Sequence, residues 1–256
     1  MTDVPVVDLN PGAAMPMLGF GTWQLRGQQA YDAVRYALEV GYRHIDTATM
    51  YRNEAEIGRA IRDSGLDRAD LFVTTKLLPG DAGRARAIIA ESLRALGTSY
   101  VDLWLVHWPP RGRALVPLWQ EFLAIRDEGL CRAAGVSNYS LTQIDELIAG
   151  TQQAPAVNQI PWSPSGYDAA LLSGHRARGV AVEGYSPLKG TRLRDRTLAE
   201  IAARHQVTPA QVVLRWHIEL GITVIPKSAR HERIKSNFDL FGFSLTPEEV
   251  ARINRL

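Results

Sequence analysis

Eight short apolar runs, each separated from the next by a stretch long enough for a helix, set the limits on what this chain can become. They are MLGFGTW (17–23), HIDTA (44–48), LFVTTK (71–76), VDLWLVH (101–107), AAGVSN (133–138), AVNQI (156–160), VAVEGYS (180–186) and ITVIPKS (222–228). Between them, QQAYDAVRYALEVG (28–41) and GRARAIIAESLRALG (83–97) space apolar residues by three or four and close on glycine, as helices do. Continuous apolar strands separated by helices imply a parallel sheet covered by helices. Eight such units in 256 residues predict an α/β fold closed as a (β/α)8 TIM barrel. The opening VPVVDLNPGAAMPMLG, with turn chemistry at Asn10-Pro11-Gly12, predicts a β-hairpin at the barrel bottom. After Tyr51, NEAEIG reads as a capping signature, Asn53 at the N-cap and Glu56 at N3. Nothing resembles a linker, so residues 1–256 are expected to form a single domain.

Composition excludes several function classes. A net charge of +2, ordinary apolar content and no block of like charges give no sign of a nucleic-acid or membrane-surface partner. Cys131 is the only cysteine, which rules out an internal disulfide and a cysteine-rich metal site. With neither a signal-peptide pattern nor an apolar run long enough to span a bilayer, the expectation is a cytoplasmic protein without metal. Only four of the 29 basic residues are lysines: Lys76, Lys189, Lys227 and Lys235. Where arginine is the default cation, each compact ammonium invites a chemical explanation.

In a (β/α)8 barrel the reactive groups sit at the C-terminal ends of the strands. Here those ends carry Asp46, Lys76, His107, Ser137-Asn138, Gln159, Tyr185-Ser186 and Lys227-Ser228. Singly, each has a structural reading: a turn cap, a strand edge, a satisfied core histidine. The barrel makes them converge. A free tyrosine, with a pKa of about 10, is a poor acid at neutral pH unless a nearby cation stabilises its phenolate. Lys76 is a candidate for that cation, Asp46 for its counter-ion, and His107 for a donor to a carbonyl oxygen. With Tyr51, these groups suit protonation of a carbonyl oxygen while something else attacks the carbon.

Taken together, these stretches resemble the aldo-keto reductases. Asp46-Thr47-Ala48, Tyr51 and Asn53-Glu54 match that family's DxA/TxxYxNE signature. VTTK (73–76), VDLWLVHWP (101–109), GVSN (135–138), VNQI (157–160), YSPL (185–188) and IPKSARHERIKSN (225–237) follow in the family's order. The resemblance spans essentially the whole chain and implies Tyr51 as general acid. Lys76 and Asp46 would lower its pKa, and His107 would orient the carbonyl. It implies hydride from NADPH, bound without a Rossmann fold, and GFGTWQ (19–24) indeed lacks the third glycine of a GxGxxG loop. By the same matching, Ser137, Asn138 and Gln159 would hold the cofactor's carboxamide and Tyr185 would stack on its ring. Ser186 and Leu188 would follow the pyrophosphate, and Thr22 would lie near the nicotinamide. Lys227, Ser228 and Arg233 would grip the 2′-phosphate, and Asn237 would contact adenine. Trp23 and Trp108, with Met50, would line the substrate pocket beside Tyr51 and His107.

Some positions depart from the family pattern. Ser236 stands where relatives place a glutamate, Pro161 and Ser163 replace acidic and histidine positions, and Lys189 replaces a glycine in the loop covering the cofactor. The sequence ends with EEVARINRL, directly after an apparent terminal helix, so no tail is expected to fold over the pocket. The expected activity is monomeric, NADPH-dependent, reversible reduction of aldehydes or ketones, nearest the bacterial branch that includes 2,5-diketo-D-gluconate reductases. Two alternatives are a nicotinamide-binding sensor or regulatory subunit with little turnover, and an unrelated barrel lyase or isomerase.

Overall fold

The structure is a computed structural model that describes residues 4–9, 12–81, 83–110 and 112–256, without the side chain of Arg113. Strands β1 (Val6–Leu9) and β2 (Ala13–Pro16) pair antiparallel, forming the predicted hairpin. Asn10 and Pro11 of its expected turn lie outside the described residues, and Gly12 has the left-handed φ of 74° that suits a turn glycine. Eight strands follow: β3 (Phe20–Gly21), β4 (His44–Asp46), β5 (Phe72–Leu77), β6 (Val101–Val106), β7 (Cys131–Ser137), β8 (Val157–Pro161), β9 (Ala181–Tyr185) and β10 (Thr223–Val224). All their pairings are parallel and run in chain order from β3 to β10.

The last strand returns to the first. Leu18 bridges Val224 in parallel, and Gly19 and Gly21 donate backbone hydrogen bonds to the carbonyls of Val224 and Pro226. The sheet therefore closes, as the eight-unit pattern required. Closure explains the glycine pair that fails as a dinucleotide loop. A Cβ on Gly21 would stand 2.8 Å from the backbone oxygen of Ile225, too close for the strands to meet.

Helices α1 (Gly27–Val40), α2 (Glu54–Ser64), α3 (Ala85–Leu96), α4 (Leu115–Asp127), α5 (Leu141–Thr151) and α6 (Ala169–Ala177) each follow one strand. Two helices, α7 (Arg196–His205) and α8 (Pro209–Glu219), precede β10, and α9 (His231–Phe238) and α10 (Pro247–Ile253) complete the order. The hairpin's Leu9, Ala13 and Met15 pack with Phe72, Leu103, Ala133 and Val157 from the starting halves of β5 to β8. It thus plugs the N-terminal end and leaves the opposite mouth open.

Asn53 occupies the N-cap of α2, yet the expected capping box is absent. Its side chain turns inward instead, accepting from Thr47 Oγ1 at 2.7 Å and donating to the carbonyls of Thr22 and Leu25 at 3.1 and 2.9 Å. Asn53 therefore ties the β3 and β4 loops together, which a solvent-facing cap would not do. Gly21→Ala is expected to destabilise the fold by about 1–3 kcal/mol through overpacking against backbone, measured by urea denaturation; unchanged stability would contradict the closure argument.

Candidate active site

Each reactive side chain is delivered by a local device. Asp46 ends β4, and the chain then makes a 3-10 turn over Thr49–Tyr51, with Tyr51 N–H donating to the Ala48 carbonyl. Thr49 Oγ1 donates to the Lys76 carbonyl at 2.9 Å, tying that turn to β5. Arg52 leaves in the left-handed region at φ 54°, which reverses the chain into α2. The junction thus directs Asp46 into the barrel and Tyr51 over its mouth.

Lys76 lies fully buried beneath them. Its Nζ donates to Asp46 Oδ1 at 2.6 Å, Asp46 Oδ2 at 2.8 Å and the Thr47 carbonyl at 2.8 Å. Burial alone would strip its proton, but Asp46, with Tyr51 and Glu183, holds its pKa above the ordinary lysine value. Nζ stands 5.1 Å from the centre of the Tyr51 ring.

Burial pushes the Tyr51 pKa up, and the nearby Lys76 ammonium opposes that rise without reversing it. Two sequence expectations change here. The net shift is upward rather than downward, and Asp46, as a second negative charge, raises the phenol rather than lowering it. The phenol consequently stays protonated through neutral pH, with a cation beside it for any phenolate that forms.

His107 is held down to about 3 by burial and by Lys76, so it is neutral. Its ring stacks on Trp108 at 4.0 Å and meets Tyr51 edge-on at 5.8 Å. Its buried Nδ1 has no hydrogen-bond partner among the described residues.

A cleft of about 750 Å³ opens over these groups. At one end it is walled by Trp23, Met50, Tyr51, His107 and Trp108. Its other walls include Asp46, Ser137, Asn138, Gln159, Tyr185, Ser186, Leu188, Lys189 and Lys227. Trp23 and Trp108 remain 44% and 38% exposed, so the apolar end is open to solvent on one side.

Several of these walls are fixed by their neighbours. Tyr185 O–H donates to Asn138 Oδ1 at 2.8 Å, while Asn138 Nδ2 donates to the His107 carbonyl and Ser137 Oγ, both at 3.0 Å. Ser137 Oγ donates to the Gln159 carbonyl at 2.8 Å. Among the cleft's walls Gln24, Asn138 and Ser186 adopt left-handed backbone without being glycine, whereas Arg52, Gln152 and Gln206 do so at helix ends.

Not every predicted residue reaches the cleft. Lys76 sits behind its wall. Thr22 is fully buried, its Oγ1 donating to the Asp46 carbonyl at 2.8 Å, so it steadies β4 from outside the cleft's walls. Ser228 is buried with Oγ accepting from the Arg230 N–H at 3.0 Å, a turn role. Arg233 is exposed on α9 and Asn237 is buried near its end, both outside the cleft's walls. Sequence reasoning missed Gln24, Ile225, Pro226 and Pro187 as walls, and passed over Glu183 within the barrel. Two signals pointed to Lys189: the scarcity of lysine, and a lysine in place of the glycine usual in that loop. Neither Lys189 nor Lys227 has an acidic partner among the described residues, which leaves two ammoniums on the cleft.

Comparisons with known proteins agree with this geometry. Residues 17–256 match the model of the aldo/keto reductase family. The 2,5-diketo-D-gluconic acid reductase B of a Corynebacterium species is 42% identical, covering 100% of this chain and 94% of its own. A crystal structure of an aldo/keto reductase from Brucella melitensis superposes with a TM-score of 0.97 at 43% identity, covering 100% of this chain and 98% of the other. The Bombyx mori aldo-keto reductase in complex with NADP gives 0.93 at 36% identity, with 100% and 93% covered.

Asp46→Ala would strand the Lys76 charge inside the barrel, and we expect it to cost about 3–5 kcal/mol of stability at pH 7. Lys76 has a raised folded pKa, so its contribution is complete below 10.5 and is lost only as pH climbs through the folded value. Urea denaturation at neutral pH checks this, and a loss under about 1 kcal/mol, the scale of a surface ion pair, would contradict it.

Proposed function

We propose, starting from the fact that the chain belongs to the aldo/keto reductase family and is an oxidoreductase acting on carbonyl groups, that it reduces aldehydes and ketones reversibly with NADPH. The observation that carries this reading is a protonated, buried phenol 5.1 Å above a fully buried, acid-paired ammonium. An enzyme acting on carbonyls has a use for that pair; a sensor with little turnover, or a lyase, does not.

The cleft fits a nicotinamide dinucleotide. It pairs a fixed aromatic face, Tyr185, with polar groups beside it and cations farther along. Tyr185 would stack on the nicotinamide, and Ser137, Asn138 and Gln159 would receive its carboxamide. Ser186 and Leu188 would follow the pyrophosphate, with Lys189 an added positive charge there. Lys227 and Arg233, beside Ser228 and the start of α9, would balance a 2′-phosphate, and Asn237 would lie toward adenine. The bound cofactor supplies the hydride.

The chain's own groups do the rest. Trp23, Met50 and Trp108 hold the carbon skeleton of the substrate against an apolar wall. Neutral His107 directs a ring N–H at the carbonyl oxygen. Tyr51 donates its proton to that oxygen as negative charge develops there, and Lys76 stabilises the phenolate left behind. Asp46 keeps Lys76 charged and touches no substrate. Working as a monomer is consistent with Val6, Trp23, Trp108 and Leu256 being the exposed large apolar side chains among the described residues, two of which rim the cleft. We take the cytoplasm as its compartment.

Following NADPH absorbance with small aldehydes, ketones and diketones, Tyr51→Phe should lose about 10²–10⁴-fold in kcat while binding NADPH as wild type does. Equal turnover would remove Tyr51 as the acid, and no turnover by wild type with any carbonyl would remove the reductase reading for this panel. Lys227→Ala with Arg233→Ala should weaken NADPH at least about tenfold more than NADH, since charge-assisted bonds to phosphate are the stronger kind. Equal losses would remove the 2′-phosphate argument.

A further inference from the structure

The barrel interior holds a second carboxyl group that this chemistry does not use. Glu183 is fully buried on β9, two residues before Tyr185. Its Oε2 accepts a 2.8 Å hydrogen bond from Gln159 Nε2, and the same nitrogen donates to Asp46 Oδ2 at 2.7 Å. Turning the amide over would set its carbonyl oxygen between two carboxyl oxygens, so the neighbours fix its orientation. Both N–H groups of Gln159 are thereby spent. Because Gln159 lines the cleft, Oε1 is the side-chain atom left for a ligand.

The other oxygen of Glu183 identifies its protonation state. Oε1 has no hydrogen-bond partner among the described residues and lies 3.5 Å from His44 Nε2. His44 Nδ1 faces the Pro16 carbonyl at 3.2 Å, which can only accept, so the ring hydrogen belongs on Nδ1. Burial holds His44 down to about 4, leaving Nε2 as a bare lone pair that faces Thr74 Oγ1 at 3.1 Å and Glu183. An ionised Glu183 would turn its charge toward that lone pair while sharing one amide with an ionised Asp46. A proton on Oε1 removes both conflicts. The groups around it agree: burial and Asp46 push Glu183 up to about 8, outweighing Lys76 and Gln159.

We propose that Glu183 is a positioning residue, a neutral carboxylic acid that takes the second N–H of Gln159 so that only the Gln159 carbonyl is offered to a carboxamide in the cleft. This rests on the nicotinamide reading above. It makes the site selective for a ring substituent that donates a hydrogen bond. It also gives binding a pH limit that Tyr51, still protonated there, does not explain. Above a pH of about 8, Glu183 ionises, its charge repels that of Asp46 across the shared amide nitrogen, and as the two carboxylates move apart the orientation of Gln159 loosens.

Two cofactors and three proteins test this. NADPH is compared with its 3-acetylpyridine analogue, whose acetyl group lacks the amide N–H, in fluorescence titrations from about pH 6 to about pH 9. Wild type is expected to prefer NADPH about tenfold at pH 7, one hydrogen bond's worth, and to lose that preference as pH passes about 8. Glu183→Gln keeps a neutral acceptor for Gln159 and a donor for His44, so its preference should persist through pH 9. Glu183→Leu should bind both dinucleotides with nearly equal affinity at every pH. A wild-type preference that does not change with pH, or a Glu183→Gln profile identical to wild type, would overturn the proposal even if Glu183→Leu fails to fold. If wild type binds neither dinucleotide, the nicotinamide reading itself falls, and this inference with it.

Discussion

The rest of the active site depends on one buried ion pair, Lys76 with Asp46. An ammonium with no solvent exposure cannot stay charged unless its partner is close and its remaining hydrogens are satisfied. Two carboxylate oxygens within 2.8 Å and the Thr47 carbonyl meet that condition. The consequence reaches outward through shared neighbours. The ammonium adds to the burial that keeps His107 neutral and tempers the rise in the Tyr51 pKa, while the carboxylate anchors Gln159. A cation at this depth also sets the sign of the site, since developing negative charge over the mouth meets it across low-dielectric protein.

Closure of the barrel is what brings these groups together. Asp46 and Gln159 are 113 positions apart, yet they lie 2.7 Å from one another. That approach requires β3 to meet β10, which depends on the bare backbone of Gly21 against Ile225. Packing of the hairpin across the opposite end leaves only one mouth for chemistry. Fold and site are therefore coupled through a few close approaches rather than through the helices that make up most of the surface.

Much of this was legible in the sequence because strand periodicity and strand-end chemistry are local. The eight apolar runs located every barrel strand, and the polar residues at the ends of seven of them located much of the cleft. Less legible was whether a polar atom is free or already spent on a partner far along the chain. Thr22, Ser228 and Asn53 carry side chains suited to ligands or caps, and each also makes hydrogen bonds to protein atoms that the sequence does not reveal. Glu183 sits mid-strand in VAVEGYS, where a lone acid among apolar residues gives no hint that Gln159 and His44 lie opposite. Direction of a pKa shift was equally out of reach, because burial of Tyr51 outweighs a charge that sequence could pair with it.

The most direct test of the account is the ionisation of Tyr51 itself. With tyrosines labelled at Cζ with carbon-13, the Tyr51 signal can be assigned by its loss in Tyr51→Phe and followed against pH in wild type and Lys76→Met. The account predicts that wild-type Tyr51 titrates above the ordinary value of 10.0 and that Lys76→Met moves it higher still. A wild-type titration below 10.0, or one that Lys76→Met leaves in place, would contradict the claim that a buried, acid-paired ammonium governs the phenol.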